Sequence, residues 1–196
     1  SSFLGRQIKA GAYQPLDKAQ LSNWKNLDTN LLSKLTDVDP GNSHSVPYLW
    51  GTTGIGYNVD KITKIFGNTD IVNSWDMIFK PENLAKLKDC GVTFLDAGSE
   101  IIPTTLYALG EDPNSFDPAV IDKAAAKLES LRPYINNFHS SEYIESLASG
   151  NVCVVVGWSG DIIQAKARAA EANNGVNIGY SIPQQGSAMW FDMMAI

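Results

Sequence analysis

Val152-Cys153-Val154-Val155-Val156-Gly157-Trp158-Ser159-Gly160-Asp161 decides the fold. Its unbroken apolar run is what a strand needs when both faces are covered, the situation of a parallel strand inside an α/β sheet. Gly157-Trp158-Ser159-Gly160 then turns the chain, and residues 161–172 carry helical spacing. Strand, tight turn and helix form the repeating unit of α/β folds, in which ligands gather beyond the carboxyl ends of the strands. Trp158 and Asp161 fall at such an end.

The same pair of chemistries recurs in Trp190-Phe191-Asp192, beside another strand-like run. A ring face attracts an ammonium group through its quadrupole, while a carboxylate supplies counter-charge and hydrogen-bond acceptors. Two such couples point to a ligand with two positive ends. A plainer reading makes Trp158 and Trp190 ordinary core rings and Asp161 the N-cap of the following helix.

Outward from this stretch, the alternation continues. Val59–Phe66 is amphipathic with Gly67 as its stop, Ser74 caps a short helix to residue 79, and Pro81–Leu87 forms a further helix. A short apolar strand over 92–95 ends at Asp96, and Gly98-Ser99-Glu100 opens a helix, with Ser99 as N-cap and Glu100 in the first turn. Glu100 is therefore a third candidate at a strand's carboxyl end. Pro118–Leu131 is the clearest helix, Ser140-Ser141-Glu142 starts another that Gly150 closes, and 176–182 is a strand ended by Pro183.

Upstream, 46–50 and 52–58 are strand-like, and Gly54 and Gly56 mark a bend or a close backbone approach. Gly54-Ile55-Gly56 is no dinucleotide fingerprint, since the third glycine and the following helix N-terminus are missing. Residues 11–44 are polar and turn-rich, with Trp24 and Leu27 as packing anchors and Asp39-Pro40-Gly41-Asn42 as a turn. The first residues have helical spacing with nothing before them, and 190–196 read as a strand that stops without a turn. The sequence thus reads as an internal stretch of a longer protein.

With 196 residues, 44% of them hydrophobic and 18% charged, the chain has globular composition. A net charge of -6 argues against a protein that tracks nucleic-acid phosphates and suits a cationic ligand. No apolar run is long enough to span a membrane, and residues 1–6 lack a signal-peptide pattern, so either the protein is cytosolic or a leader has been removed. Cys90 and Cys153 are too far apart for a zinc knuckle or a redox pair. They read equally as two buried thiols or as one disulfide in an oxidising compartment.

His44 and His139 have no neighbours that would build a triad or a metal site, and no nucleophile elbow, Walker loop or zinc-protease motif occurs. Neither a metal nor a cofactor is expected. Trp158 with Asp161 and Glu100 also fits a sugar-binding receptor or a sugar-active enzyme, because sugars stack on indoles and paired acids hydrolyse them.

Taken together, these stretches resemble the polyamine-binding receptors of bacterial ABC importers, of the putrescine and spermidine types. The resemblance is carried by Ser2-Phe3-Leu4, Trp24-Lys25-Asn26-Leu27, Asp39-Pro40-Gly41-Asn42, the run from Pro47-Tyr48-Leu49-Trp50-Gly51 to Tyr57-Asn58, Ser74-Trp75-Asp76, Lys80-Pro81-Glu82-Asn83, Phe138-His139-Ser140-Ser141, Gly157-Trp158-Ser159-Gly160-Asp161 and Phe191-Asp192. It implies a periplasmic binding protein of type II, a two-lobed α/β venus flytrap present in part. Residues 1–50 would belong to lobe one and the crossover, 51–183 mainly to lobe two, and 184–196 to a strand returning to lobe one.

The resemblance further implies export to the periplasm, a Cys90–Cys153 bridge, a monomer, an ABC permease as partner and no catalysis. It assigns Trp158 to stacking on the ligand's methylenes, Asp161, Asp192 and Glu100 to its ammonium groups, Trp190 to an aromatic wall, and Ser2 and Phe3 to a lobe-one contact segment. Ala97 and Asp161 resemble the putrescine type and Trp190 the spermidine type, which tilts the expectation towards a short diamine.

Overall fold

A computed structural model describes residues 2–196, with side chains from Phe3 onward. In chain order its elements begin with helices α1 (Ser2–Lys9) and α2 (Thr29–Ser33), strand β1 (Ser45–Asn58), and helices α3 (Val59–Phe66), α4 (Asp76–Phe79) and α5 (Pro81–Leu87). Strand β2 (Val92–Phe94), helices α6 (Gly98–Leu109) and α7 (Pro118–Leu131), strand β3 (Asn137–Phe138) and helix α8 (Tyr143–Ala148) follow. The chain continues through β4 (Val154–Trp158), α9 (Ser159–Ala172), β5 (Ile178–Ser181) and β6 (Met189–Ala195). The residues fall into two units, one up to Gly51 and again from Met189, the other Thr52–Ala188.

In the larger unit the strands run in the order β3-β2-β4-β1-β5. β2 is parallel to β3 and to β4, whereas β1 is antiparallel to both β4 and β5. The apolar run ending at Trp158 is therefore parallel to its neighbour on one side only, and the sheet is mixed. Val154, Val155 and Val156 are nonetheless fully buried, because α8 and α9 pack against the strand. An edge-to-face ladder of Trp75, Phe79, Phe94 and Phe138, with ring centroids 6.0 to 6.2 Å apart, fills the core beside β2. The buried Trp75 indole gives its N–H to the Gly186 carbonyl at 2.8 Å.

Cys90 and Cys153 form a disulfide, with Cα atoms 5.5 Å apart and a sequence separation of 63. Closing a loop of that length removes about 4 kcal/mol of chain entropy from the unfolded state. The bond ties the turn between α5 and β2 to the residue before β4, so it fixes the origin of the strand that carries Trp158.

Several local expectations are corrected. The two strand-like stretches around Gly51 are one strand, β1. Of the two readings of Gly54 and Gly56, the bend fails and the close approach holds: both lie inside β1, where a Cβ would come 2.5 Å from the Ser181 carbonyl oxygen and 2.7 Å from Ile162. Ser99 does not cap α6: Ala97 is the N-cap and offers no side-chain acceptor, and Ser99 lies inside the first turn. The turn that leads into α8 is held by His139, whose Nδ1 accepts the N–H groups of Ser141 and Glu142 at 3.0 and 2.9 Å.

In the smaller unit β6 pairs with β1. Trp24 and Leu27 are only half-buried there, and Leu4 and Leu35 are the buried anchors. Its other fixed point is Asp39, wholly buried at the head of the Pro40–Asn42 turn. The carboxylate accepts the backbone N–H groups of Ser43, His44 and Ser45 and the Ser45 hydroxyl at 2.8 to 3.2 Å. Burial alone would raise its pKa, but the hydrogen bonds from Ser45, His44 and Ser43 outweigh that and hold it below 3.8.

A lowered folded-state pKa means that the carboxylate's contribution is complete above the unfolded value and is lost as pH falls through the lower folded one. Asp39→Ala leaves several buried donors unpaired, and urea unfolding at pH 7 is expected to show a loss of about 2–4 kcal/mol. The gap between variant and parent should narrow below about pH 4. A gap that stays constant down to pH 2 would remove the carboxylate from this role.

Candidate ligand-binding site

Two helix starts meet at one end of the larger unit's sheet. β2 and β4 run parallel in the register Val92↔Val154, Thr93↔Val155 and Phe94↔Val156, so the chain leaves both strands at the same end. From β2 it enters α6, whose first turn carries Glu100; from β4 it enters α9, with Trp158 at the N-cap and Asp161 in the first turn. Both carboxylates sit where exposed N–H groups and the helix dipole favour negative charge. Asp161 does not cap α9, because the cap position belongs to Trp158, so the plainer reading of this acid fails.

β1 links the two. Thr53 is the cross-strand partner of Trp158, and its hydroxyl donates to Glu100 Oε2 at 2.6 Å. Next to it, the Thr52 N–H donates to Ser159 Oγ at 3.3 Å, and the Thr52 hydroxyl lies 2.6 Å from that of Tyr180. Asp161 is held from another direction, since the Tyr143 hydroxyl donates to its Oδ2 at 2.6 Å and accepts the Trp158 N–H at 3.2 Å. Each acid thus has one oxygen anchored. Among the described residues, Oδ1 of Asp161 and Oε1 of Glu100 have no hydrogen-bond partner.

The smaller unit carries the other candidates. Trp190 and Asp192 are two apart on β6 and so share one face of that strand, Trp190 half-buried and Asp192 exposed. Asp192 borders a depression of about 360 Å³ with Leu4, Gln7, Tyr13 and Phe191. Phe3 is 70% exposed on α1, with the Arg6 guanidinium 5.0 Å from its ring centre. The side chain of Ser2 lies outside the described residues. Among those described, no group of three His, Cys, Asp or Glu side chains converges as a metal site would require.

Tyr143, Thr53 and Tyr180 escaped the sequence reading because nothing separates a tyrosine or threonine that orients an acid from one that fills a core. One signal was present. Gly157, read from sequence as the start of the turn, instead lies within β4, and a Cβ there would lie 2.8 Å from the Tyr143 ring. A glycine inside a strand often marks the close approach of another group.

The family model described as bacterial extracellular solute-binding protein matches residues 1–196. The chain is 54% identical to the putrescine-binding periplasmic protein SpuD of Pseudomonas aeruginosa and 53% identical to the putrescine-binding periplasmic protein PotF of Escherichia coli. Each comparison takes in 100% of this chain and 53% of the relative, so the chain spans about half the length of the curated relatives it matches. The solved spermidine/putrescine ABC transporter substrate-binding protein PotD of Streptococcus pneumoniae aligns with a TM-score of 0.79 at 27% identity, covering 98% of this chain and 54% of that one. The α/β architecture is that of periplasmic binding proteins, present in part.

Burial, and after it the bond to Asp161, pushes the Tyr143 phenol far above the ordinary tyrosine range. An absorbance titration of phenolate formation is therefore expected to give superimposable curves for the native protein and its Tyr143→Phe variant up to the onset of alkaline unfolding. A curve short of one tyrosine near pH 10 in the variant would place Tyr143 in solvent.

Proposed function

This chain belongs to the bacterial extracellular solute-binding protein family, and from that premise we propose that it forms much of the cleft of a periplasmic receptor for a polyamine. Putrescine is favoured over spermidine, and the bound ligand is passed to an ABC importer. In this reading the smaller unit belongs to lobe one and the larger to lobe two, and the protein binds its ligand without transforming it.

One observation carries the proposal: Asp161 and Glu100 each have one carboxylate oxygen engaged by a hydroxyl and the other, among the described residues, unengaged, at the same end of one sheet and beside an indole. An ammonium group gives up several hydrogen bonds to water on entering a cleft, and ionised, oriented acceptors recover them. Trp158 offers its face to the alkyl chain between the charges. Asp192 and Trp190 take the corresponding roles for lobe one, with Phe3 and Ser2 as a further contact segment of that lobe. The relatives' names, which speak of putrescine and spermidine, support this ligand class over a neutral sugar.

Removing one carboxylate strands an ammonium group with too few acceptors. Asp161→Ala or Asp192→Ala is expected to lose about 2–5 kcal/mol of putrescine binding by calorimetry on the full-length protein, and Trp158→Ala less. Affinity for the parent should fall as salt rises, because the attraction is between charges. Unchanged affinity in both acid variants would exclude these carboxylates as the site.

A further inference from the structure

We propose that Tyr143 is a positioning residue that locks Asp161 and the backbone of Trp158 into one amine-recognition unit and thereby sets how the cleft discriminates between diamines of different length. The inference rests on the function proposed above and concerns a residue that faces away from solvent. Tyr143 is 1% exposed, so its hydroxyl has no water to turn to and no route to a ligand. Its single proton is committed to Asp161 Oδ2 at 2.6 Å, and its oxygen accepts the Trp158 N–H at 3.2 Å.

The two partners are three residues apart, on either side of the start of α9. One buried oxygen therefore ties the N-cap of the helix to the carboxylate in its first turn. The ring arrives from α8 and fits under β4 only because residue 157 has no side chain. His139 holds the turn that leads into α8, and α8 packs along α9, so the helix that carries the phenol is itself fixed in place.

The consequence for binding is pre-organisation. A carboxylate on a free side chain must be ordered when the ligand arrives, and that ordering reduces affinity. With Oδ2 pinned, Asp161 presents Oδ1 at a fixed place relative to Glu100, which Thr53 pins in the same manner. Two fixed acceptors measure the distance between two ammonium groups. A freely rotating Asp161 would accept several distances and measure none.

The test is calorimetry with putrescine and cadaverine on the full-length parent, Tyr143→Phe, Asp161→Asn and the double variant, titrated to millimolar ligand. Tyr143→Phe is expected to weaken putrescine about tenfold and to narrow the difference between the two diamines. The effect should vanish on the Asp161→Asn background, because the phenol acts through that acid. An equal loss in both backgrounds would make Tyr143 a general support of the fold and overturn the proposal. So would unchanged putrescine affinity in Tyr143→Phe while Asp161→Asn is impaired; either result leaves the polyamine reading standing. Unchanged affinity in Asp161→Asn itself would overturn the site and this inference with it. Should Tyr143→Phe not fold, Gly157→Ala displaces the same ring by its added methyl group and carries the same expectations.

Discussion

The junction of β4 with α9 depends on an absent methyl group. Gly157 leaves the space beneath the strand into which the Tyr143 ring packs, and from there the hydroxyl reaches both the N–H that starts α9 and the carboxylate in its first turn. A comparable arrangement occurs on β1, where a Cβ on Gly54 would collide with Tyr180, whose hydroxyl bonds to Thr52. In each case a glycine inside a strand admits a tyrosine that ties down the end of the sheet. Packing in the interior and polar order at the site are therefore consequences of the same residues.

Holding a flexible dication sets two opposing demands. Acids must be ionised and oriented, yet must keep oxygens for the ligand, because a carboxylate saturated by its own protein has little left to offer. In the proposed site, anchoring one oxygen of Asp161 through Tyr143 and one of Glu100 through Thr53 answers both. Asp39 is the contrasting case: both of its oxygens are consumed by Ser43, His44 and Ser45, it is wholly buried, and it serves the fold alone. On the proposed function, structural and recognising carboxylates differ in how many acceptor sites each leaves open.

Much of this was legible in the sequence wherever a local rule applied. Helices α3 and α7 coincide with their predicted spans because Gly67 and Pro118 punctuate them unambiguously, and the aromatic-acid couple at Trp158 and Asp161 was readable from spacing. The failures were long-range. Close approach was one of two readings of Gly54 and Gly56, and the choice between them depends on Ser181 and Ile162, more than a hundred residues later. The antiparallel insertion of β1 between β4 and β5 leaves no trace in periodicity. Ser99 looked like a cap because its type is right, but the N-cap position fell two residues earlier, on Ala97. Tyr143 was invisible for the same reason, since its importance lies in what Gly157 permits.

The central claim is that the cleft recognises two separated positive charges, each met by oriented carboxylates. It is tested most directly by comparing putrescine with N-acetylputrescine, which keeps the alkyl chain and one ammonium group but replaces the other with a neutral amide. The account predicts that calorimetry finds the acetylated ligand at least about 100-fold weaker, the scale expected when a buried charge loses its partner. Equal affinity for the two would mean that the second charge goes unrecognised, and would contradict the account.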